Sequence, residues 1–494
     1  MKRRILALAA LVLVATLVRL HAARVVGFGD SEALYACYAL HPQAAYLDHP
    51  GLVGVVMAEL GGGGAPSPTT VHTLTTVLLA LSIPLAVLVA RASRASEGAA
   101  LGVGFVLFAV PELAIGLFGL TPDALLFPTT LLFLLFATLA LRPEDDARRP
   151  VWFLLAGLSA GVAASAKVTG ILLLVVLAVA SARTARARTP WPWLGILLGG
   201  IVVSPVVLYE IRHGFPMASH RLVSTQADGG FSLRNVLAFA GGQLAYVSPV
   251  FAILAVAAAR RLWRARNADP QARLLFLSFA IQAPVLGFLA LWSRVAEPHW
   301  FAPALLALPF AEARAPGPLT RRLAHAGFGV ALGLTALVHA WVLVPASAAL
   351  VPAGVDPKVD IANELYGWNQ ALAHARDVLA SDRGPGDPDG SGIAVVGPHW
   401  TVCAQLHAGL GRGVAVGCDT PIRDDFDGWL PRHAWRAREK ILWVSDNRFA
   451  TAPAPSLPGH SRTLESRVRV MRGGRTARIF TFTVFERRAQ ALWP

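Results

Sequence analysis

An early stretch of the chain, "GDSEALYACYALHPQAAYLDHPGL" (29–52), gathers side chains suited to acid–base chemistry. It contains the carboxylates Asp30, Glu32 and Asp48, together with two histidines and three tyrosines. A carboxylate can take the proton of an attacking hydroxyl group or orient that hydroxyl. Apolar runs lie on both sides of the stretch, so these acids are concentrated in a polar segment that borders apolar ones.

Other polar segments of the chain supply the opposite charge. The cations and histidines expected at the same membrane level are Lys167, Arg212, His213, His220, Arg221, Arg234, Arg294 and His299. Carboxylates facing cations across a membrane-level cavity suit an anionic substrate that is carried by a lipid. The chemistry that fits is sugar transfer from a lipid phosphate, in which cations stabilise the departing phosphate and a carboxylate acts on the incoming hydroxyl. This scheme requires no metal, and no spacing of His, Cys or Asp residues predicts one.

The composition indicates a polytopic membrane protein. The 494-residue chain is 55% hydrophobic and 15% charged, whereas typical soluble domains have about 25% charged residues. Its apolar residues gather in runs near the roughly 20 residues that cross a bilayer core. The net charge of +14 lies mostly in short connectors, which is typical of the positive-inside rule and argues against nucleic-acid binding. The basic, apolar N-terminus is interpreted as an uncleaved first span, because many apolar runs follow it.

The apolar runs predict eleven spans. They lie at 4–20, 71–90, 99–118, 123–141, 151–166, 168–181, 190–209, 236–258, 274–292, 300–313 and 324–345. The region 151–181 is divided in two because the basic connectors on both sides should be cytoplasmic, which places Lys167 at an outer turn. One long tilted span with a buried Lys167 is the alternative, and it would invert the downstream topology. The chosen topology places the N-terminus in the cytoplasm and the C-terminus outside.

Three polar segments then fall on the outer side, at 21–70, 210–235 and 293–300. Helical spacing in 34–41 and 52–60 predicts two short amphipathic helices at the membrane surface, joined by the turn "YLDHPG". We expect a transmembrane domain over 1–349 and an outer α/β domain over 350–494. In the outer domain, "GIAVVG", "KILWVS" and "RIFTFTVF" predict strands and "GWNQALAHARDVLA" predicts a helix. Three cysteines predict no disulfide framework, and the sequence leaves open whether Cys403 and Cys418 pair.

Five motifs resemble, in order, the bacterial members of glycosyltransferase family 39, which are relatives of the dolichyl-phosphate-mannose protein mannosyltransferases and the lipid A aminoarabinose transferases. The motifs are "DSEALYACYAL…YLDHPGL", "GLTPDALLF", "GLSAGVAASAKVTGILL", "SPVVLYEIRHGFP" and "EPHWFAPALLALPF". The resemblance covers roughly residues 24–345. It implies a GT-C fold and an integral membrane transferase that uses a polyprenyl-phosphate sugar, with an active site on the outer side. No further cofactor is implied.

The resemblance also implies roles for individual residues. An Asp-Glu pair opens the first outer helix in this family; here that place reads Ser31-Glu32, with Asp30 one position early, so either acid could inherit the role. The second acidic position falls on Asp48. Further residues implied to bind substrate, or placed beside such residues, are His49, Lys167, His299 and Trp300, with Arg212 and His213 at a position where relatives carry an asparagine-rich signature. Arg221, Arg234, Tyr35 and Tyr46 complete the candidate set, and the aromatic residues could instead be interface anchors.

The sequence therefore predicts a multi-pass protein of the bacterial inner membrane that transfers a sugar to an envelope acceptor on the periplasmic side. Its partners would be the bilayer, a lipid-linked sugar donor and the acceptor. A protein hydroxyl, lipid A and a growing polysaccharide all remain open as acceptors. The alternative function is a transporter or flippase for a lipid-linked or anionic solute, although such proteins tend to place charges at the bilayer midplane and to contain inverted repeats.

Overall fold

The computed structural model describes residues 1–144, 146–226, 229–293, 297–352, 354–381, 392–449 and 457–488. Arg294, one of the predicted outer cations, lies outside the described residues. The chain forms two compact units. The membrane unit comprises Met1–Leu20, Ala44–Leu52 and His72–His339, and the sheet unit comprises His21–Gln43, Val53–Val71 and Ala340–Pro494. The division into functional domains at 1–349 and 350–494 stays a prediction.

Helices account for most of the first half of the chain. They are α1 (Lys2–Val25), α2 (Asp30–Tyr38), α3 (Leu52–Gly61), α4 (Pro68–Ala92), α5 (Glu97–Ala109), α6 (Pro111–Ala114), α7 (Pro122–Ala140), α8 (Arg149–Ala166), α9 (Ile171–Ala182), α10 (Trp191–His213) and α11 (Pro216–Leu222). The two helices predicted between the first two spans correspond to α2 and α3.

The later helices include both long spans and short segments. They are α12 (Leu233–Tyr246), α13 (Pro249–Ala265), α14 (Pro270–Trp292), α15 (Ala302–Leu305), α16 (Leu308–Arg314), α17 (Pro318–Leu343), α18 (Trp368–Ser381), α19 (Trp400–Leu410), α20 (Phe426–Trp429) and α21 (Arg432–Arg436). The helix predicted from "GWNQALAHARDVLA" corresponds to α18.

Seven helices in the described part of the chain are long and apolar enough to cross a bilayer, and they coincide with seven predicted spans. They are α1, α4, α7, α8, α10, α14 and α17. The protein is thus a multi-pass membrane protein. The count of eleven spans stays a prediction, because the other four predicted spans do not form long straight helices.

Proline explains two of these departures. The predicted span 99–118 holds α5, which stops at Ala109 because Val110 precedes Pro111 and adopts an extended conformation. The predicted span 300–313 contains Pro303 and Pro309, whose missing N–H groups prevent one continuous helix. It forms only α15 and α16, preceded by a 3₁₀ turn.

The two remaining departures are a bend and a short helix. Within the predicted span 236–258, α12 and α13 meet at an angle of 99°, at a break that precedes Pro249. The predicted span 168–181 begins with a 3₁₀ turn at Val168–Gly170 and continues as the twelve-residue α9. The chain therefore breaks at Lys167 itself, which has an extended backbone conformation between α8 and the turn. This agrees with the prediction of two short helices on either side of Lys167.

Small residues bring α8 and α10 into close contact. Gly157 and Gly161 on α8 face Gly195 and Gly199 on α10, so that a Cβ atom at any of these positions would overlap the facing backbone. Each pair is spaced four residues apart, which is the pattern that lets two membrane helices approach closely. The small-residue run before Lys167 therefore packs one helix against its neighbour and fixes the height at which Lys167 leaves α8.

The sheet unit contains one five-stranded sheet. Its strands are β1 (Ile393–Gly397), β2 (Ala415–Cys418), β3 (Lys440–Asp446), β4 (His460–Arg472) and β5 (Arg475–Arg487), in the order β2-β1-β3-β5-β4. β1 runs parallel to β2 and β3, whereas β5 runs antiparallel to β3 and β4. The three predicted strands correspond to β1, β3 and β5, and the small α/β domain expected in this region is confirmed. The question about the cysteines is also answered, since Cys403 and Cys418 form a disulfide.

Candidate active site

The loop that carries Asp48 and His49 is a tight, closed turn. The Tyr46 amide donates a hydrogen bond to the His49 carbonyl at 2.9 Å, and the Gly51 amide donates to the Ala44 carbonyl at 2.8 Å. Ala45 at the base of this turn packs into a small apolar cluster with residues of α8, α10 and α11, namely Ala164, Val203, Val206 and Met217. The loop is therefore fixed in place within the membrane unit, with the Asp48 carboxylate at its tip.

Arg221 of α11 binds this loop through several atoms. Its Nε lies 3.1 Å from the Asp48 carbonyl oxygen and 3.2 Å from Asp48 Oδ1, and its Nη2 lies 3.1 Å from His49 Nε2. His220, the preceding residue, places its Nε2 3.5 Å from the same carboxylate oxygen. One acid is therefore paired with an arginine and a histidine from a single turn of helix.

His49 serves as a hydrogen-bond acceptor in this arrangement. Burial lowers the pKa of His49 well below its ordinary value, and the charges of Arg221, Lys167 and His299 lower it further. The imidazole is therefore neutral at physiological pH. Its Nε2 lone pair can then receive the Arg221 guanidinium, which is always charged.

Glu210, which was not among the predicted site residues, holds α11 in position. Its buried carboxylate accepts hydrogen bonds from the Met217 amide at 3.1 Å and the Ala218 amide at 3.0 Å. These are amides of the first turn of α11, where backbone N–H groups have no partner within the helix and a negative charge is favoured. The signal was present in "YEIRHGFP", because a glutamate six residues before a helix that starts at proline can cap the amides of its first turn.

The side chain of Lys167 forms an ion pair with Asp123. The Lys167 Nζ lies 2.9 Å and 2.8 Å from the two carboxylate oxygens of Asp123. Lys167 is 9% exposed, so this contact compensates most of the cost of burying its charge. Asp123 follows the proline that starts α7, and its carboxylate binds Lys167.

A second acid–base pair lies at the predicted third outer segment. His299 Nδ1 is 3.4 Å from Glu297 Oε2. Burial on its own would lower the pKa of His299, but the hydrogen bond with Glu297 and the nearby carboxylates of Asp123 and Glu112 raise it above the ordinary value. The same hydrogen bond lowers the pKa of Glu297. His299 is thus a histidine that keeps its positive charge at a higher pH than usual.

Like Glu210, Glu112 was not among the predicted site residues. It lies on the four-residue α6, is 6% exposed, and is within electrostatic range of His299, Asp123 and Lys167. An ionisable residue inside an apolar run is costly and therefore a functional candidate. That signal was available, because Glu112 falls within the predicted span 99–118.

Arg19 of α1 fixes the connection that carries Glu112. Its guanidinium donates hydrogen bonds to the Ala114 carbonyl at 2.5 Å and the Leu117 carbonyl at 2.9 Å, and it lies over the ring of Phe118. Thr75 of α4 donates a further hydrogen bond to the Phe118 carbonyl at 2.5 Å. The backbone between α6 and α7, which would otherwise have unpaired carbonyls, is therefore bound by two neighbouring helices.

These contacts define one polar cluster inside the membrane unit, which we call the charge cluster. Its members are Asp48, His49, Glu112, Asp123, Lys167, His220, Arg221, Glu297 and His299. Chemically, it offers cations that can neutralise a phosphate and carboxylates that can accept a proton, in a region where burial strengthens both effects. Among the described residues, no group of three or more His, Cys, Asp or Glu side chains is arranged to hold a metal ion.

Asp30 occupies a different setting, in the sheet unit. Both of its carboxylate oxygens accept hydrogen bonds from Arg448 Nη2, at 3.1 Å and 2.9 Å. Its backbone amide donates to Glu364 Oε1 at 2.6 Å, and Arg448 also lies near Asp446. Burial raises the pKa of Asp30 although Arg448 opposes this shift. Asp30 thus joins the start of α2 to the end of β3.

Glu32 and Tyr35 also belong to the sheet unit. Glu32 is 3% exposed, and its Oε2 accepts a hydrogen bond from the Gly29 amide at 3.4 Å, which caps the start of α2. Tyr35 is buried and its ring lies 5.7 Å from that of Tyr38. The structure therefore gives Asp30 an ion-pair partner and Glu32 a capping hydrogen bond.

The remaining candidates differ in their surroundings. Arg212, His213 and Arg234 are exposed, and His213 stacks on Tyr209 at 4.0 Å. Tyr46 is 2% exposed and forms part of the Asp48 turn, so it is a structural residue of that loop rather than an interface anchor. Trp300 is half-buried beside His299.

Comparison with known proteins gives matches to one family model and to solved structures. Residues 62–209 match the family model described as dolichyl-phosphate-mannose-protein mannosyltransferase. Among solved structures, the chain resembles ArnT from Cupriavidus metallidurans bound to undecaprenyl phosphate, with 18% identity, a TM-score of 0.61 and 97% of each chain covered. The apo state of that protein gives 18% identity, a TM-score of 0.59 and the same coverage. No curated protein sequence matches the chain.

The fold is therefore that of the GT-C membrane glycosyltransferases. Residues 62–209 match the protein mannosyltransferase family model, and the chain shares the architecture of the ArnT structure along nearly its whole length. The resemblance inferred from the sequence motifs is confirmed.

Proposed function

We propose that this protein is a membrane glycosyltransferase that moves a sugar from a polyprenyl phosphate to a hydroxyl group of an envelope acceptor on the periplasmic side of a bacterial inner membrane. The fold supports this proposal, since the ArnT structure that it resembles contains undecaprenyl phosphate. The family model matched by residues 62–209 describes transfer from a lipid phosphate as well.

The observation that carries the proposal is the set of arginine, lysine and histidine side chains around the Asp48 turn. Arg221 and His220 lie within 3.5 Å of the Asp48 carboxylate, and the charge cluster adds Lys167 and His299. A sugar leaves a lipid phosphate more easily when the developing negative charge is stabilised by preorganised donors. Arg221 is suited to bind a phosphate because its planar fork can donate two hydrogen bonds at once.

Most of the predicted residues then have a proposed task. His49, His220, Arg221, Lys167 and His299 bind or neutralise the donor phosphate, and Asp48 holds Arg221 in orientation. Glu32 is the proposed acid of the first outer helix for contact with substrate. For Asp30 we propose a positioning role, because Arg448 occupies both of its carboxylate oxygens. Trp300 and Tyr35 are proposed aromatic contacts for the sugar or the lipid, and Arg212, His213 and Arg234 are proposed outer contacts.

The disulfide supports the periplasmic assignment of the sheet unit. Cys403 and Cys418 are both buried and bonded to each other, and disulfides persist in oxidising compartments such as the periplasm but are rare in the cytosol. A periplasmic C-terminal region agrees with the predicted topology, in which the N-terminus is cytoplasmic.

The proposal is tested by replacing Asp48 in cells. We expect deletion of the gene to remove one glycolipid or glycoprotein from the envelope, and we expect Asp48→Asn to fail to restore it, with the product at least about 10²-fold below wild type. The matched control is Asp377→Asn, an exposed acid on α18, which should restore the product fully. Mass spectrometry of envelope extracts measures the result.

An unchanged set of envelope glycoconjugates after deletion would refute glycosyl transfer. The alternative function, transport of a lipid-linked or anionic solute, predicts that deletion leaves the covalent structure of the envelope glycoconjugates unchanged. It predicts in addition that the solute accumulates on one side of the membrane.

A further inference from the structure

Glu112 has a carboxylate oxygen with no partner. Its Oε2 is fully buried and accepts no hydrogen bond, and it is the only carboxylate oxygen among the described residues for which this is true. Leaving a buried polar atom unpaired costs about 1–3 kcal/mol, and more for a charged group. Native structures contain few such atoms, and each needs an explanation.

This oxygen belongs to a side chain that lines a cavity. The cavity has a volume of about 570 Å³ and is bounded by residues of α5, α13, α16 and α17, with Glu112 at the end where α5 stops and Arg4 and Ser96 at the other. The volume falls within the range of about 300–1,000 Å³ that is typical of small-ligand sites. Glu112 is therefore mostly buried, and its side chain borders a space that another molecule can enter.

The other acids nearby are occupied. Asp48 is paired with Arg221, Asp123 with Lys167, and Glu297 with His299. The second carboxylate that lines the cavity, Glu312, is held by Arg261 through contacts of 2.9 Å and 3.1 Å. A carboxylate already bound to an arginine or lysine is a weaker proton acceptor, because the cation stabilises its charged form.

The surroundings of Glu112 also connect it to the proposed phosphate site. The groups within electrostatic range of it are His299, Asp123, Lys167 and the hydroxyl of Tyr246. Lys167 and His299 are cations that we assign to the donor phosphate. Glu112 therefore lies beside the place where the sugar–phosphate bond would break.

From this geometry we propose that Glu112 is a catalytic residue, the group that binds the acceptor hydroxyl and takes its proton during sugar transfer. This inference rests on the proposed function. The acceptor oxygen forms a bond to the anomeric carbon of the sugar, and the bond from that carbon to the phosphate oxygen breaks. The phosphate leaves with the bonding electron pair, and the hydroxyl proton moves to the Glu112 carboxylate.

The test compares Glu112→Gln with a matched control from the same cavity. Glutamine preserves the size of the side chain but cannot take the proton, and loss of a general base lowers rates by about 10²–10⁴-fold. We expect Glu112→Gln to lower formation of the glycoconjugate lost in the deletion strain by at least about 10²-fold. Glu112→Asp should keep a measurable part of the activity, and Glu312→Gln should stay within about threefold of wild type.

Binding of undecaprenyl phosphate to each purified protein, measured by native mass spectrometry in detergent, shows that the variants are folded. We expect Glu112→Gln to bind this lipid as well as wild type does, because Glu112 contacts the acceptor and not the phosphate. Transfer by Glu112→Gln at the wild-type rate would overturn the inference and leave the proposed function standing. A wild-type protein that neither binds the lipid nor changes any glycoconjugate would instead refute the proposed function.

Discussion

At the scale of single residues, the charge cluster contains mostly paired ions, and this explains how the chain tolerates them. Breaking a buried ion pair by removing one partner costs about 3–5 kcal/mol, since the remaining charge is left uncompensated. Lys167 and Asp123 form such a buried pair at 2.8 Å, whereas Asp48 and Arg221 are joined at 3.2 Å and are partly exposed. The carboxylates keep these cations ordered before the substrate arrives. A bound phosphate would then compete with the carboxylates for the same cations.

The pair of His299 with Glu297 makes a prediction about pH. Because the pKa of His299 is raised in the folded state, its contribution to stability is fully present below about pH 6.5, the ordinary histidine value. It is lost as the pH rises through the higher folded-state pKa. We expect the melting temperature of wild type to exceed that of His299→Asn by the largest margin near pH 6, and by a smaller margin at pH 8.5.

The control for this measurement is His325→Asn on α17, an exposed histidine outside the charge cluster. The difference in melting temperature between wild type and His325→Asn should not narrow as the pH rises. A difference in melting temperature between wild type and His299→Asn that widens toward alkaline pH would show that His299 is not stabilised in its charged form.

At the scale of elements, the close contact of α8 with α10 positions Lys167. Gly199 faces Gly157 and Leu174, whereas an added Cβ at the adjacent Gly200 would meet nothing within 4 Å. This neighbour provides a matched control on the same helix. Separation of the two helices would move the end of α8 and thereby Lys167.

We therefore expect Gly199→Val to lower the melting temperature of the purified protein in detergent by several degrees and to broaden its size-exclusion peak. An inserted side chain that overlaps backbone costs about 1–3 kcal/mol or more. Gly200→Val should behave like wild type in both measurements. Equal effects at the two positions would mean that helix propensity, and not the α8–α10 contact, determines the outcome.

The elements also show how far the sequence could predict the fold. Long apolar helices such as α1 and α4 follow directly from hydropathy, and so does the break at Lys167, because a lysine in a small-residue run is incompatible with one long span. The short strand β2 and the strongly polar β4, with its many arginines, give no clear apolar alternation and were not predicted. The bend between α12 and α13 depends on how Pro249 is packed, which local sequence does not specify.

At the scale of the site, the sequence predicted the residue types better than their partners. Asp48, His49, Lys167 and His299 were named from motifs and charge, and the structure brings all four into the charge cluster. Glu112 and Glu210 were missed because each lies inside or beside an apolar run. Their roles depend on long-range contacts, with Arg19 supporting the backbone near Glu112 and α11 folding back onto Glu210.

At the scale of the whole molecule, each compact unit draws on distant parts of the chain. The sheet unit includes α2 and most of α3 as well as the C-terminal sheet. Within it, Asp30 binds Arg448 across more than four hundred residues. Asp30 and Glu32 both lie in the first turn of α2, and which of them takes the acidic role stays a prediction.

The central claim is that the charge cluster binds a polyprenyl phosphate, and direct binding of undecaprenyl phosphate tests it most sharply. We predict that the wild-type protein in nanodiscs binds this lipid and that Arg221→Gln weakens binding at least about tenfold, since a charge-assisted hydrogen bond contributes about 1.5–3 kcal/mol. Arg264→Gln, which alters an exposed arginine of α13, should bind like wild type. Equal affinity of wild type and Arg221→Gln, or no binding by wild type, would contradict the claim.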